Sequence, residues 1–321
     1  LADGGEGSLE VLPYPARSFE ALGPAGERIT AFYKTHLDTA YFELALTCGL
    51  TLTAQKNPLL THTEGLGMGI KQALKEGYKK ILVFAGGSAT NDAGLGALYA
   101  LGYRFYDPEG NSIRPRGGNL YRIATYESPI LPKDIHFAVA TDVRNPFTGP
   151  EGATYTYAPQ KGAKPEDLPL LEAGMVHIEK TFATGPLPSG AGAAGGLAGG
   201  FYLFLSATIF SASDLLLRGV KEKVEQADFV VTGEGRIDAQ TLHGKLVTRI
   251  LDMSTEKKFI LIAGHITTPI ALPQILWQED LTGNDISTEY AIKNAKQLLR
   301  NKAQKLREFL DNKRNTHNIN A

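Results

Sequence analysis

Four apolar runs, each followed closely by glycine or acidic residues, constrain the fold of this chain more than any other feature. The runs are Lys80–Phe84, Ile135–Thr141, Phe229–Thr232 and Phe259–Ala263. Helical patterns separate them, and strands that alternate with helices predict an α/β architecture with mainly parallel sheets. Because ligands of such sheets bind at the carboxyl ends of the strands, we expect the functional residues at these ends.

The segment after the first run is the most informative one for function. It reads AGGSATNDAGLG over residues 85–96 and overlaps a helix predicted over Asn91–Leu101. Glycines at a strand-to-helix turn let backbone N–H groups approach an anion, and the helix N-terminus favours negative charge. An Asn-Asp pair adds a carboxylate suited to Mg²⁺ or to orienting a hydroxyl. The candidate residues are Gly86, Gly87, Ser88, Asn91 and Asp92. An ordinary turn capped by Ser, Thr or Asp is the alternative.

A second glycine-rich segment, PSGAGAAGG over residues 188–196, is a candidate for phosphate or substrate contact. Its glycines match the G-x-G-x-x-G spacing, but no strand precedes them as a dinucleotide fingerprint requires, so an NAD-dependent function is the weakest interpretation. A glycine loop that opens a helix can still hold phosphate through its N–H groups. Close helix packing is the alternative. The candidates are Ser189, Gly190 and Gly192.

A third segment, VTGEGRIDAQTLHGK over residues 231–245, follows a strand and combines glycines with both signs of charge. Arginine and lysine neutralise transferring phosphoryl oxygens, and an aspartate holds Mg²⁺ or takes a proton. The segment is not a Walker A loop, because Leu246 stands where that motif needs Ser or Thr. Its candidates are Glu234, Arg236, Asp238, Gln240, Thr241 and Lys245.

Two further segments add polar residues. Asp142 follows the second apolar run, and we expect Asn145 and the stretch Gln160–Gly162 in the same crevice. Asp3 and Glu6 lie in the N-terminal run ADGGEG. Turns and an exposed polar loop are the respective alternatives.

Composition excludes several classes of function. The 321 residues carry a formal net charge of −1, so the chain lacks the basic surface expected of a protein that binds nucleic acid or an anionic membrane. The single cysteine, Cys48, lies in an apolar run and is expected to be a buried small hydrophobe, which fits a reducing cytosol. Residues 181–213 carry no charge, but their Gly- and Pro-rich first half favours a helix buried in a large core over a membrane span.

Taken together and in this order, these segments resemble the bacterial glycerate kinase family of type I. The resemblance covers roughly residues 1–264. It rests on the runs ADGGEG (2–7), GGSATND (86–92), ATDV with NP (140–146), APQKGA (158–163), PSGAGAAGG (188–196), TGEGRID (232–238) and HGK (243–245). Several long motifs in a fixed order are more specific than any one glycine pattern.

The resemblance implies transfer of a phosphoryl group from ATP, with Mg²⁺, to a hydroxyl of D-glycerate, giving 2-phosphoglycerate or, in some members, 3-phosphoglycerate. It implies two α/β domains, one inserted into the other, with the active site in the cleft between them. We therefore expect residues 1–30 and 255–321 to form a discontinuous flavodoxin- or Rossmann-like domain, and residues 31–254 to form the inserted domain. We expect a cytoplasmic enzyme whose partners are D-glycerate and ATP, with no nucleic acid or membrane; a homodimer is compatible with the sequence.

Each candidate residue has an expected role in such a reaction. Asp92, Asp142, Asp238 and Lys245 are the expected catalytic residues, and Asp142 and Asp238 are the expected Mg²⁺ ligands. Arg236 and Lys245 are expected to neutralise charge on the γ-phosphoryl group or on the glycerate carboxylate. The residues expected to bind substrate or phosphate are Asp3, Glu6, Gly86, Gly87, Ser88, Asn91, Ser189, Gly190, Gly192, Glu234, Arg236, Gln240 and Thr241.

The chain also departs from the family pattern. The family's first strand, with its lysine in an Asp-Ser-Phe-Lys-Gly loop, is not found before the ADGGEG run, and Leu66 and Ala239 differ from the usual residues. Two alternatives to a glycerate kinase stay open: a kinase for another small hydroxy acid, and a non-catalytic protein that binds a phospho-acid or a nucleotide.

Overall fold

The structure, a computed structural model, describes residues 5–54, 56–238, 246–283 and 286–318, with side chains at all of these except 246 and 312–318. The chain divides into two compact units, residues 1–216 and 217–321. Helices and parallel strands occur in both, so the predicted α/β class with mainly parallel sheets is confirmed.

The first unit contains two sheets, a main sheet of six strands and a smaller antiparallel sheet formed by the fifth, sixth and seventh strands. Its strands are β1 (Ala16–Leu22), β2 (Arg28–His36), β3 (Thr39–Glu43), β4 (Lys80–Phe84), β5 (Arg104–Tyr106), β6 (Ser112–Ile113), β7 (Thr125–Glu127), β8 (His136–Ala140) and β9 (Thr208–Phe210). Its helices are α1 (Ala45–Cys48), α2 (Glu64–Lys75), α3 (Leu95–Leu101), α4 (Ala153–Tyr157), α5 (Leu168–Phe182), α6 (Ala193–Leu205) and α7 (Ala212–Leu216), with 3₁₀ turns at Gly117–Arg122 and Pro159–Lys161.

The main sheet has six strands in the order β1-β2-β3-β4-β8-β9. The pairs β1/β2 and β2/β3 are antiparallel, whereas β3, β4, β8 and β9 run parallel. Four of the five residues of β4 are buried, as expected for a parallel strand covered on both faces. The carboxyl ends of the parallel strands therefore share one edge of the sheet.

Aromatic packing fills the core under β1, β2 and β3. Phe19 and Tyr33 pack on Phe42 with ring centroids 6.4 and 4.9 Å apart. Helix α2 lies close to them because Gly69 has no side chain; a Cβ there would lie 2.4 Å from Phe19 Cζ. The thiol of Cys48 is fully buried, and burial raises its pKa to about 12. Cys48 is thus a packed small side chain, as predicted.

The second unit has a smaller parallel sheet. Its strands are β10 (Phe229–Thr232), β11 (Arg236–Ile237), β12 (Lys258–Ala263), β13 (His265–Ile266) and β14 (Ile275–Asp280). Its helices are α8 (Val220–Gln226), α9 (Leu246–Leu251), α10 (Thr288–Lys293) and α11 (Ala295–Asn318). The sheet order is β10-β12-β14, and β11 pairs with β13 in a short parallel ladder.

The two units divide the chain differently from the predicted domains. The sequence predicts that residues 1–30 join residues 255–321, but β1 pairs with β2 along its whole length and so belongs to the sheet of the first unit. The unit boundary falls after residue 216 and not after residue 254, because β10 is hydrogen-bonded to β12.

Most predicted elements lie where expected, and the exceptions have local causes. The strands at 80–84 and 229–232 are confirmed. Helix α3 begins at Leu95 and not at Asn91, because Ala93 and Gly94 have φ angles of 53° and 71°. The uncharged stretch 181–213 contains α6, which is buried from Ala193 to Phe201. Within the described ranges, no helix is long and apolar enough to cross a bilayer.

Candidate functional site

A cavity of about 140 Å³ opens where β4 ends and the first glycine turn begins. Three residues predicted from the sequence, Gly86, Gly87 and Ser88, line it. The rest of the lining is Leu50, Ala85, Val143, Tyr157, Gln160, Lys161 and Ala194. The cavity thus lies at the sheet edge where parallel sheets bind their ligands.

The turn at residues 86–88 leaves several N–H groups available. Leu50 N–H donates to Gly87 O at 3.0 Å, and Ala89 N–H donates to Cys48 O at 2.8 Å, which fixes the backbone. Gly87 has a φ of 71°, in the left-handed region that favours glycine. Within the described part of the chain, the N–H groups of residues 86, 87 and 88 have no hydrogen-bond acceptor. Successive free N–H groups of this kind form a concave site for an anion.

A second stretch of unusual backbone adds a further donor. Ala194, Gly195 and Gly196 have φ angles of 56°, 67° and 83°. Glycine is needed at 195, because a Cβ there would lie 2.0 Å from the Thr90 carbonyl oxygen. The N–H of Ala194 also lacks an acceptor among the residues that the structure describes. The start of α6 therefore brings another free N–H to the lining of the cavity.

Lys161 places a buried positive charge at the cavity. Its side chain is 2% exposed, and Nζ donates to Ser88 Oγ at 2.8 Å and to Thr90 O at 2.7 Å. Burial lowers the pKa of Lys161 to about 7, and the negative charge of Asp92 opposes this shift. No carboxylate among the described side chains forms an ion pair with it. A buried cation without an anion is costly unless a ligand supplies one.

Neutral polar groups border the same cavity. Tyr157 OH donates to Asn145 Oδ1 at 2.6 Å, and Asn145 Nδ2 donates to Glu151 O at 2.7 Å. Burial raises the pKa of Tyr157, so this phenol stays protonated at neutral pH. Asn145 thus orients Tyr157 and does not line the cavity itself.

The N-terminal loop reaches the glycine turn. A Cβ on Gly87 would lie 3.0 Å from Glu6 Cγ and 3.1 Å from Glu6 Oε1, so the Glu6 side chain lies against this turn. Buried Glu43 anchors the loop by accepting from the N–H groups of Gly7 at 2.9 Å and Leu9 at 3.0 Å. The structure therefore places the candidate residue Glu6 next to the candidate residue Gly87.

Asp92 is fully buried, and both of its carboxylate oxygens accept hydrogen bonds. Its carboxylate accepts from Thr63 N–H and Thr63 Oγ1 at 2.8 Å each, and from the N–H groups of Gly94 and Gly96 at 3.2 Å. Burial raises its pKa, and these hydrogen bonds oppose the shift. Asp92 therefore ties the start of α2 to the start of α3. It does not line the cavity.

Asn91 is buried beside Asp92 and points to a different neighbour. Its Nδ2 donates to Thr154 Oγ1 at 3.4 Å, whereas its Oδ1 is buried without a partner in the described structure. Thr90 Oγ1 is buried and unpartnered in the same sense. Neither side chain lines the cavity.

Asp142 is exposed at the end of β8. Its carboxylate accepts from Ser211 Oγ at 2.7 Å, from Ser213 N–H at 3.2 Å and from Ser213 Oγ. These contacts let Asp142 cap the short helix α7. The next residue, Val143, lines the cavity, so Asp142 is one residue away from it.

The second glycine segment packs against the chain that follows Asp142. Gly192 N–H donates to Asn145 O at 3.0 Å, and a Cβ on Gly192 would lie 2.1 Å from Pro146 O. Gly190 has a φ of 87°, and a Cβ on it would lie 3.0 Å from Val143 O. Ser189 Oγ donates to Arg144 O at 3.3 Å. Glycine is needed at positions 190 and 192 because the backbone of residues 143–146 packs closely against them.

The third glycine segment lies in the second unit, at a separate and larger cavity of about 710 Å³. It is lined by Val231, Thr232, Gly233, Glu234, Gly235, Ile262, Ala263, Gly264, His265, Leu281, Thr282, Thr288, Ala291, Ile292, Ala295 and Leu299. Arg236 and Asp238 lie beside this lining, with Arg236 Nε 3.6 Å from Asp238 Oδ2. His265 Nδ1 lies 2.7 Å from Thr282 Oγ1 and 3.5 Å from Asp280 Oδ2.

The structure brings together only some of the predicted residues. Gly86, Gly87 and Ser88 line the small cavity, Glu6 lies against Gly87, and Glu234 lines the large cavity. The predicted residues outside the described ranges are Asp3, Gln240, Thr241 and Lys245. Among the described residues, no group of three or more His, Cys, Asp or Glu side chains is arranged to hold a metal ion.

Lys161 and Tyr157 are cavity residues that the predicted site set leaves out. The motif APQKGA places Gln160–Gly162 in the crevice, but lysines are usually exposed and the sequence does not mark this one as buried. The sequence feature that could have indicated a buried turn at Lys161 is the glycine that follows it. Gly162 has a φ of 93°, and a Cβ there would lie 2.2 Å from Lys56 O.

Comparison with known proteins gives one consistent result. A sequence model described as the glycerate kinase family matches residues 1–311. The glycerate kinase of Bacillus subtilis (strain 168) is 41% identical over 263 residues, which cover 76% of this chain and 69% of that protein. The glycerate 2-kinase of Escherichia coli (strain K12) is 35% identical over 294 residues, which cover 85% of this chain and 77% of that protein.

A solved structure has the same fold. The crystal structure assigned to glycerate kinase 2 from Salmonella typhimurium LT2 aligns with a TM-score of 0.77 and 34% sequence identity. The alignment covers 97% of this chain and 88% of that chain. The similarity therefore extends over both units.

Proposed function

The chain belongs to the glycerate kinase family, and we propose that it transfers the γ-phosphoryl group of ATP to a hydroxyl of D-glycerate, giving 2-phosphoglycerate. It is an enzyme of the kinase class, like its named relatives. The name of the Escherichia coli relative, a glycerate 2-kinase, favours the 2-phosphate over the 3-phosphate.

The cavity after β4 is the observation that carries the proposal, together with the membership of the chain in this family. Its glycine turn offers N–H groups that have no acceptor in the described protein, which suits an anionic ligand. A volume of about 140 Å³ suits a three-carbon acid and is small for a nucleotide. We therefore assign this cavity to the acceptor acid.

The larger cavity of the second unit is our proposed nucleotide site. Apolar side chains such as Ile262, Leu281 and Leu299 suit a purine ring, and Gly233, Gly235 and Gly264 allow phosphate oxygens close to the backbone. Its position after β10 and β12 is the usual ligand position of a parallel sheet.

Phosphoryl transfer depends mainly on positioning and charge neutralisation. We propose Asp142 and Asp238 as Mg²⁺ ligands or as the base, and Arg236 and Lys245 as neutralising cations. In proteins Mg²⁺ usually keeps several waters and binds through one or two carboxylates plus the phosphates of the substrate. An exposed carboxylate such as that of Asp142 suits this kind of binding. When bound, the ion supplies neutralisation of the phosphate charge. We assign enclosed Asp92 to positioning α2 and α3.

We also propose a cytoplasmic location, where ATP is available. The single cysteine, Cys48, is a buried free thiol, which accords with a reducing compartment. A homodimer stays a prediction.

The direct test is a reaction of the purified chain with MgATP and D-glycerate. We expect one ADP for each phosphoglycerate formed, with ADP followed in a coupled assay and the product isomer identified by mass spectrometry and ³¹P NMR. A panel of glycolate, lactate and sugar acids separates glycerate kinase from a kinase for another small hydroxy acid. Binding of glycerate and ATP without any ADP release would contradict the proposal and support the non-catalytic alternative.

A further inference from the structure

The buried ammonium of Lys161 has no part in the expected roles above, and we propose that it is the group that recognises the carboxylate of the acceptor acid. The cavity around it is then a site for a small monocarboxylate. This inference rests on the proposed function for the identity of the acid, and on the geometry of the first unit for the identity of the binding groups.

The hydrogen-bonding capacity of Lys161 is only partly used. An ammonium has three N–H donors, and two of them go to Ser88 Oγ and to Thr90 O. Because Ser88 Oγ accepts from Lys161, its own proton can go to another acceptor, and the described residues provide none. The cavity lining therefore offers an ammonium donor, a hydroxyl donor and the free N–H groups of residues 86–88 and 194.

The charge of the lining favours a carboxylate over a phosphate. Among the described residues that line the small cavity, Lys161 is the one with a charged side chain, and the Glu6 side chain lies outside this lining, against Gly87. A single buried cation balances one carboxylate, whereas a phosphate with about two negative charges needs a second cation or a metal ion. A phosphate bound opposite Lys161 alone would keep one buried negative charge without a partner, and this would weaken its binding relative to a carboxylate.

Neutral groups of the lining suit the hydroxyls of a hydroxy acid. The Tyr157 hydroxyl donates to Asn145, so its oxygen can accept from a ligand hydroxyl. The Gln160 amide, also in the lining, can both donate and accept. The site thus combines one charge with groups that select for hydroxyl substituents.

A purely structural role for Lys161 is a less economical explanation. Nζ does join residues 88 and 90 to the 159–161 turn, but a neutral side chain could do this without burying a charge. The burial that holds the pKa of Lys161 near 7 is a cost that an anionic ligand removes. Such a cost at a cavity, and not in the core, indicates ligand binding.

Isothermal titration of the full chain with D-glycerate, without nucleotide, tests the proposal. Lys161→Met should weaken the affinity about 30-fold or more, because it removes one partner of a buried charge pair. The matched control Lys164→Met, which removes an exposed lysine nearby, should stay within about twofold of wild type. Glycerol, which lacks the carboxylate, and inorganic phosphate should both bind more weakly than D-glycerate. Unchanged glycerate affinity in Lys161→Met, or tighter binding of phosphate than of glycerate, would overturn the proposal.

A second measurement needs no variant. Among the described residues, the charged and titratable groups on the elements around Lys161 are Asp92 from the loop before α3, Tyr157 from α4, and Glu6, which lies against the glycine turn that carries Ser88. Because only protonated Lys161 attracts a carboxylate, the affinity of wild type for D-glycerate should fall up to about tenfold for each pH unit above about 7. A flat profile between about pH 7 and 9 would assign Lys161 to structure alone.

The two proposals fail in different ways. Lys161-dependent binding of D-glycerate without ADP formation would refute the proposed function and leave the carboxylate site standing. ADP formation with the same KM for glycerate in wild type and Lys161→Met would refute the carboxylate site and leave the function standing.

Discussion

Replacing Lys161 by methionine should remove a pH dependence from the stability of the protein. The pKa of Lys161 is about 7 in the folded chain, against the usual 10.5. Between these values the unfolded chain holds a proton that the folded chain has released. The stability of wild type therefore rises with pH across this window, and the variant, which lacks the group, does not share the rise.

The size of the effect follows from the pKa difference. Each pH unit inside the window changes the free energy of unfolding by about 1.4 kcal/mol. From about pH 7, where half of the folded molecules have already released this proton, to about pH 9, wild type should gain about 2 kcal/mol relative to Lys161→Met. The variant also loses the hydrogen bond to the Thr90 carbonyl and changes the local packing. These losses lower its free energy of unfolding by about 1–3 kcal/mol, by the same amount at every pH. The slope is therefore independent of them.

Urea unfolding followed by circular dichroism measures this slope. Wild type, Lys161→Met and the control Lys164→Met are compared at four pH values between about 6 and 9. The control should follow wild type. A difference between wild type and Lys161→Met that stays constant over this range would refute the reasoning, because Lys161 would then keep an ordinary pKa.

Three further substitutions test individual residues. Asp142→Asn should lower kcat with MgATP and D-glycerate by about two to four orders of magnitude, while Ser213→Ala, which keeps the carboxylate, should stay within about tenfold; equal losses would leave Asp142 only its capping role. Gly192→Ala should cost about 1–3 kcal/mol in urea unfolding, because its Cβ would lie 2.1 Å from a backbone oxygen. Gly185→Ala has open space around it and should be neutral; a neutral Gly192→Ala would contradict the packing. Asp92→Asn should cost about 1–3 kcal/mol or more, since an NH₂ group would face donors that one carboxylate now satisfies; an unchanged melting temperature would contradict this.

The sequence predicts the strands and the sheet edge well, because both depend on local patterns. Runs such as KILVF are apolar throughout, which indicates a strand buried on both faces, and the glycines after β4 mark its turn. The division into units is harder to predict. It depends on the pairing of β1 with β2 and of β10 with β12, and pairing depends on tertiary contacts.

The roles of site residues are the least predictable part. The motif around Asp92 is visible in the sequence, but its complete enclosure by Thr63, Gly94 and Gly96 is a tertiary feature. Lys161, in contrast, is not among the predicted site residues, yet it lines the cavity. Its burial and its contacts with Ser88 and Thr90 join segments more than 70 residues apart, so no local pattern reveals them.

Steady-state kinetics of wild type and Lys161→Met with D-glycerate and MgATP test the central claim most directly. The assignment of the small cavity to the acceptor acid predicts a KM for glycerate at least about 30-fold higher in the variant, with a KM for ATP within about twofold of wild type. A glycerate KM that is the same in both proteins would contradict it.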